Sequence, residues 1–267
     1  VKLFFKNKNK NYLKMCYRFE PHRFQDGLFK QIDATFIIHL EGNGRLKQVK
    51  EQLDKIHPTN LVYILHNKGY KKCSKTDIST PPIDLVDAFL QCLKFAETHG
   101  MQNVLILEDD FQFHKDTSDH SLKVDNFLSI HTNESFLYYL GTVPYLQYPV
   151  GENTYRILMA TGTHACVYTP LLRKELLLKP QEEIKDWDVY MNFNAVRYAY
   201  YKPLCIQLFP ETENQQHWMY GGSTILKTIF KALGMDKQAE PGYTIFYIFS
   251  KIFFFAIILF LIWILIK

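Results

Sequence analysis

Residues 104–110 read Val104-Leu105-Ile106-Leu107-Glu108-Asp109-Asp110. Four branched apolar residues followed at once by three acids describe a buried strand whose C-terminal end projects carboxylates. Ligands of open α/β sheets bind at that end of the strands. Three adjacent carboxylates repel one another, and a divalent cation among them relieves the repulsion. Hard oxygen donors of this kind suit Mn²⁺ or Mg²⁺. A strand that merely stops in a solvated acidic turn reads the same way, and the tripeptide alone does not separate the two.

Upstream, Ala34 to Leu40 is a continuous apolar strand, followed by the turn Gly42-Asn43-Gly44. Leu46, Val49, Leu53 and Ile56 recur at helical spacing and predict a helix over about 45–56. Leu61 to Leu65 reads as a second strand. The loop Asn67-Lys68-Gly69-Tyr70-Lys71-Lys72 follows, and Pro81-Pro82 starts a helix that Gly100 ends. Strand, helix, strand, helix, strand is the signature of a parallel sheet wound with crossover helices. Downstream, Phe136 to Leu140 reads as a strand, and Tyr155 to Met159 is expected to pair with His164 to Tyr168 as a hairpin. Leu171 to Leu178 and Trp187 to Tyr201 read as helices, and Leu204 to Phe209 as a last strand.

The chain has 267 residues, 47% hydrophobic, 15% aromatic and 22% charged, enough for one substantial α/β domain. A formal charge of +4, with no arginine-rich run or basic-aromatic platform, gives no reason to expect a nucleic-acid partner. Lys2, Lys6, Lys8, Lys10, Lys14 and Arg18 concentrate basic charge in residues 1–29, read as a solvated arm. Five scattered cysteines without a C-x-x-C pair give no zinc site and fit a reducing, cytosolic environment. Cys92, Cys166 and Cys205 lie in apolar runs and read as small core residues.

The C-terminus poses a different solvent problem. From Tyr243 to Ile266 the chain is almost wholly apolar, and a membrane-crossing helix needs about 20 such residues. Residues 241–267 therefore read as a transmembrane anchor, with Lys251 snorkelling and Tyr243 and Tyr247 in the headgroup belt. Lys227, Lys231 and Lys237 before the span outnumber Lys267 after it, which places the main domain (30–220) on the cytosolic side. Between them, residues 221–240 carry Ile225, Leu226, Ile229, Phe230 and Leu233 on one helical face. That face suits either a membrane surface or packing on the domain.

In this order the blocks resemble glycosyltransferase family 25, the lipopolysaccharide and procollagen β-galactosyltransferases. The likeness is carried by Phe36-Ile37-Ile38-His39-Leu40-Glu41 with Arg45, by Leu105 to Asp110, by Gly162-Thr163-His164-Ala165-Cys166-Val167-Tyr168-Thr169-Pro170, and by Asp186-Trp187-Asp188 with Pro203 to Gln207. The resemblance implies an A-type glycosyltransferase fold, a Rossmann-like mixed α/β sheet. It also implies a metal-dependent, inverting transfer from a nucleotide sugar, a UDP-sugar foremost, to a hydroxyl of a glycan, lipid or protein. Carried over residue by residue, Asp110 with Glu108 and His217 would hold Mn²⁺ or Mg²⁺. Leu40, Glu41, Arg45, Lys71, Glu108 and Asp109 would line the nucleotide site. Asp188 would be the general base, with Asp186 as helix cap or acceptor contact, and Thr163 and His164 could line the acceptor site. Glu41 stands where the family prefers Asp, and Asp87-Ala88 lie near where a Ser-His pair is usual, so the sugar does not carry over. Two alternatives stay open at this point: a degenerate sugar-binding or scaffolding protein, and a metal-dependent phosphotransferase or nucleotidyltransferase. Neither a G-x-x-x-x-G-K-[ST] nor a G-x-G-x-x-G motif is present to favour the last.

Overall fold

The structure is a computed structural model that describes residues 16–208 and 228–267. Strands β2 (Ala34–Leu40), β3 (Leu61–Asn67) and β4 (Val104–Glu108) are parallel neighbours. Helix α1 (Leu46–Leu53) links β2 to β3, and α2 (Pro81–Thr98) links β3 to β4. On the outer side of β3 runs β1 (Tyr17–Arg23), antiparallel. Beyond β4 come β7 (Thr154–Tyr168), β6 (Leu137–Pro149) and β8 (Arg197–Tyr200), giving one seven-stranded mixed sheet in the order β1-β3-β2-β4-β7-β6-β8. β5 (Phe111–Phe113) and β9 (Cys205–Gln207) form a separate two-stranded ribbon.

The period of two along each strand sorts side chains between two cores. Phe36, Ile38, Leu65 and Ile106 face α2, α4 (Pro170–Leu178) and α5 (Trp187–Asn194). Ile37, Ile64, Leu105 and Leu107 face α1 and α3 (Thr117–Ile130). The chain leaves β2 toward β3 on one side and returns past it to β4 on the other. The C-terminal ends of β2 and β4 therefore flank a crevice at a topological switch point. Leu40 and Glu41 on one rim, and Glu108 to Asp110 on the other, owe their meeting to that reversal.

Several expectations are corrected. The basic arm does not extend to residue 29: Tyr17–Arg23 is an edge strand, because alternate residues pack on β3 and Phe19 stacks on Phe95 of α2. Residues 155–168 are one strand, not a hairpin; Gly162, at φ +86°, sits in a bulge and lets the strand continue to pair with β6. The helix beginning at Trp187 stops at Asn194, and Arg197–Tyr200 turns into β8, since Tyr198 and Tyr200 alternate with Ala199 along the sheet. Cys16 and Cys73 are not thiols. They are bonded, with Cα atoms 5.6 Å apart, whereas Cys92, Cys166 and Cys205 are free and buried. A sequence separation of 57 hid the contact, and the β1–β3 pairing creates it. Closing a loop of that length confines the unfolded chain by about 3–4 kcal/mol. Cys73→Ser is accordingly expected to lower unfolding free energy by about 3 kcal/mol in urea titrations under oxidising conditions, and not at all under reducing ones.

Helix α6 (Gly242–Ile266) is the one described helix long and apolar enough to cross a membrane. Its first turns do not lie in a headgroup belt, as the sequence led us to expect. Tyr243 and Tyr247 are buried against Val143 of β6 and Ile206 of β9, together with Phe230, Met235 and Ala239. The described part of the 221–240 segment thus packs on the domain, because Val143 and Ile206 offer an apolar face beside it.

Candidate functional site

The turn after β2 decides the geometry of the site. Gly42 and Gly44 hold φ near +88° and +81°, a region that side chains rarely enter, and so fold Asn43 back over β4. The Asn43 amide donates to Asp109 Oδ2 at 2.7 Å, and its Oδ1 takes the Arg45 N–H at 3.0 Å. Asp109 also accepts from His39 Nδ1 at 2.8 Å, from the Leu40 N–H at 3.2 Å and from the Arg45 guanidinium at 3.0 Å. Burial alone would raise the Asp109 carboxyl, but the His39 and Asn43 bonds and the Arg45 charge outweigh it and hold it below the usual carboxylate range. Asp109 therefore clasps the two rims of the crevice together and leaves its neighbours to line open hollows.

Those neighbours point into two adjoining hollows. Asp110 lines a cleft of about 480 Å³ with Asn43, Gly44, Arg45, Gln48 and Gln112, within the range of small-ligand sites. Its Oδ2 takes the Arg45 guanidinium at 3.0 Å, while its buried Oδ1 has no hydrogen-bond partner among the described residues. Glu108 points to the other side of β4. It lines a small hollow of about 70 Å³ with Thr161, Gly162, Thr163, Asp186, Asp188 and Gln207. Burial, then the charges of Asp110 and Asp188, push the Glu108 carboxyl far above its ordinary range, and burial raises Asp110 despite Arg45.

Asp188, in the first turn of α5, is held by the bulge in β7. Its Oδ2 accepts the Gly162 N–H at 2.8 Å and the Thr161 hydroxyl at 3.2 Å, and its Oδ1 the Thr163 hydroxyl at 2.6 Å. Asp186 is the N-cap of the same helix, accepting the Val189 N–H at 3.0 Å. Burial first, and the nearby Asp188 second, raise the Asp186 carboxyl.

The other sequence-derived residues distribute differently. Glu41 lies on the rim of β2 with its carboxylate 4.0 Å from His66, and its backbone oxygen meets the Lys72 ammonium at 3.5 Å. Lys71 is exposed, 6.0 Å over the Tyr70 ring. His217 lies outside the described residues. Among the described residues no three His, Cys, Asp or Glu side chains converge as a metal-ligating set. His164 does not line the hollow. It is fully buried, with Nε2 3.3 Å from the Cys205 carbonyl and its ring edge-on to Tyr243 at 5.7 Å.

Sequence reasoning passed over Asn43 and His39 as ligands of Asp109, although both sit at the polar end of β2 where the strand's alternation aims His39 toward α1. It also passed over Lys75. That ammonium is buried among Asp84, the Asn67 side chain at 2.7 Å and the Tyr17 hydroxyl, next to the Cys16–Cys73 bond, and fixes the 68–80 loop beside the crevice. No local pattern marked this lysine among its neighbours.

Burial of His164 gives a pH prediction. Its imidazole is pulled down from 6.5 to about 4 by desolvation, so below pH 6.5 the unfolded chain takes up a proton that the folded chain refuses. The unfolded state then binds more protons, and stability falls as pH drops from about 6.5 to about 4. The melting temperature should follow that slope, and His164→Gln should flatten it.

No family model and no curated protein matches the chain. Among solved structures it is similar to a glycosyltransferase involved in glycosylation of the major capsid of PBCV-1, at 10% identity and TM-score 0.38, covering 61% of this chain and 75% of that one. It is also similar to the mannose-1-phosphate geranyltransferase from Thermus thermophilus (11% identity, TM-score 0.39, covering 64% and 73%). Apo-UDP-glucose pyrophosphorylase is a third (12% identity, TM-score 0.35, covering 63% and 72%). Family 25 is not singled out. Similarity this remote leaves the activity to be argued from the site.

Proposed function

We propose that the protein is a nucleotide-sugar-dependent glycosyltransferase. The observation that carries the reading is the buried Asp110 Oδ1, without a hydrogen-bond partner among the described residues, beside the cleft of about 480 Å³ that Asp110 lines at the switch point. A buried anionic oxygen without a donor is costly unless a ligand supplies one. A cation held by one carboxylate and completed by water and substrate phosphates meets that need, so Asp110 fits Mn²⁺ or Mg²⁺ in its cleft, while Glu108, in the other hollow, would reach that ion only through water. When bound, it would neutralise charge on the departing nucleoside diphosphate. The chain's own groups do the rest. Arg45, already pairing Asp109 and Asp110, faces the same cleft and can pair with a phosphate. Asp188, held by Thr161, Gly162 and Thr163 and lining the Glu108 hollow, would take the proton of an acceptor hydroxyl entering there. A base on the acceptor side agrees with an inverting displacement.

The test is a panel of nucleotide sugars and plain nucleotides, read by thermal shift with and without Mn²⁺. The expected result is stabilisation by one nucleotide sugar, enhanced by Mn²⁺, with Asp110→Ala removing the Mn²⁺-dependent part. Stabilisation by nucleoside triphosphates alone would instead favour a nucleotidyltransferase.

We further propose that α6 anchors the protein in a membrane. Two features bear on which side the domain occupies. Lys227, Lys231 and Lys237 against Lys267 favour the cytosolic face, whereas the Cys16–Cys73 bond favours an oxidising compartment. Alkylation of freshly lysed cells decides between them: reactive Cys16 and Cys73 place the domain in the cytosol, and a protected pair places it opposite.

A further inference from the structure

Helix α6 is built into the site at one end and bare at the other. At its start the Tyr243 hydroxyl accepts the Gln207 N–H at 3.3 Å, and Gln207 lines the hollow shared by Glu108 and Asp188. One and two turns on, the Gln147 amide of β6 reaches the Tyr247 carbonyl at 3.2 Å and the Ser250 hydroxyl at 2.7 Å. The Lys251 ammonium then donates to the Tyr201 carbonyl at 2.6 Å and lies 4.4 Å over the Tyr155 ring. Phe254 stacks on Tyr148 at 5.3 Å. From Phe255 onward every residue except Ile257 is exposed. The helix is thus docked over Gly242 to Lys251, with one further contact at Phe254, and exposed beyond.

Lengths make this consequential. At 1.5 Å per residue the wholly apolar stretch Ile252 to Ile266, about 15 residues, spans roughly 22 Å, short of a hydrocarbon layer of about 30 Å. No part of it is left over for a stalk. Lys251 with Tyr148, Tyr155 and Tyr201 must sit at the edge of the hydrocarbon, a cation and aromatic girdle of the kind membrane interfaces select. From Lys251 back to Tyr243 is eight residues, so the hollow stands about 12 Å from that edge along the helix axis. One leaflet's headgroup layer occupies roughly 5–8 Å of this distance.

We infer that the acceptor is a lipid of the same membrane whose headgroup already carries a sugar or polyol, and that the docked start of α6 is the ruler that brings its hydroxyl to Asp188. A bare glycerol hydroxyl at the bilayer surface falls short of the hollow, and one further sugar ring covers the remaining gap. This rests on the transferase reading above and goes beyond it in naming the acceptor class.

The experiment uses the full chain reconstituted in phosphatidylcholine vesicles doped with monoglucosyl diacylglycerol, with methyl glucoside as the soluble acceptor and the stabilising nucleotide sugar as donor. A helical insertion of about seven residues between Lys251 and Ile252 lifts the domain roughly 10 Å with little rotation. It touches no residue of the hollow and leaves the contacts of Gly242 to Lys251 in place, releasing only Phe254 from Tyr148. The expected result is transfer to the glycolipid by the unaltered chain and at least a tenfold loss on insertion, with donor binding and any slow transfer to methyl glucoside unchanged. Equal rates with and without the insertion would overturn the inference, as would methyl glucoside being used as well as the lipid, or donor binding with no transfer to the glycolipid. Absence of donor binding in the unaltered chain is a separate outcome, and it would remove the transferase reading itself.

Discussion

Asp188→Asn is expected to slow sugar transfer about 10³-fold while leaving nucleotide-sugar binding unchanged, because a positioned general base contributes about 10²–10⁴ to such reactions. Asparagine keeps the size of the side chain and one acceptor oxygen, so part of the contact with Thr161, Gly162 and Thr163 survives. It loses the ability to take a proton. The neighbouring carboxylates do not replace it. Asp186 is committed to capping α5, and Glu108 is pushed by burial and by Asp110 toward its protonated form. Single-turnover rates with saturating donor separate the chemical step from binding, and a melting curve controls for folding. Full activity in Asp188→Asn combined with inactivity in Asp186→Asn would exchange the two roles.

Asp109→Ala should cost about 4 kcal/mol of folding stability, in the range for removing one partner of a buried charged network. The alanine leaves the His39 ring, the Asn43 amide and the Leu40 N–H without their acceptor and strips Arg45 of one of its two carboxylates. It also unpins the Gly42-Asn43-Gly44 turn from β4, so donor binding should weaken along with stability. Asp109→Asn, retaining an oxygen for one or two of these donors, is expected to fall in between. Urea denaturation of the three proteins measures the series. A loss below about 1 kcal/mol for the alanine would mean the clasp is solvated and dispensable.

How much of this was legible in the sequence differs between the halves of the chain. From Ala34 to Asp110 the strands and helices were readable because both faces of the parallel strands are covered. Near-continuous apolar runs result, broken by a Gly-Asn-Gly turn and a Pro-Pro start. The division of labour among the three acids also has a local basis: alternation sends Glu108 and Asp109 to opposite faces. After residue 136 the pattern was ambiguous. Ala160-Thr161-Gly162-Thr163 looks like a turn between two short strands, yet it is a bulge inside one. Those polar residues are there to hold Asp188, a contact about 25 residues away in sequence with no periodic trace. Arg197 to Tyr200 carries aromatic residues that suit helix or strand, and only the vacant edge of β6 selects strand.

Composition and spacing by themselves determined an α/β sheet, acids at the end of its central strand, and a C-terminal segment that seeks an apolar surrounding, because each follows from local periodicity and solvent preference. Tertiary structure alone decided which acid is a clasp and which line hollows, which cysteines are joined, and that Tyr243 and Tyr247 belong to the domain instead of a headgroup layer. Those outcomes depend on which surfaces the chain reversal at β2 and the pairing of β1, β6 and β7 bring together, and such meetings between distant segments leave no mark on either segment alone.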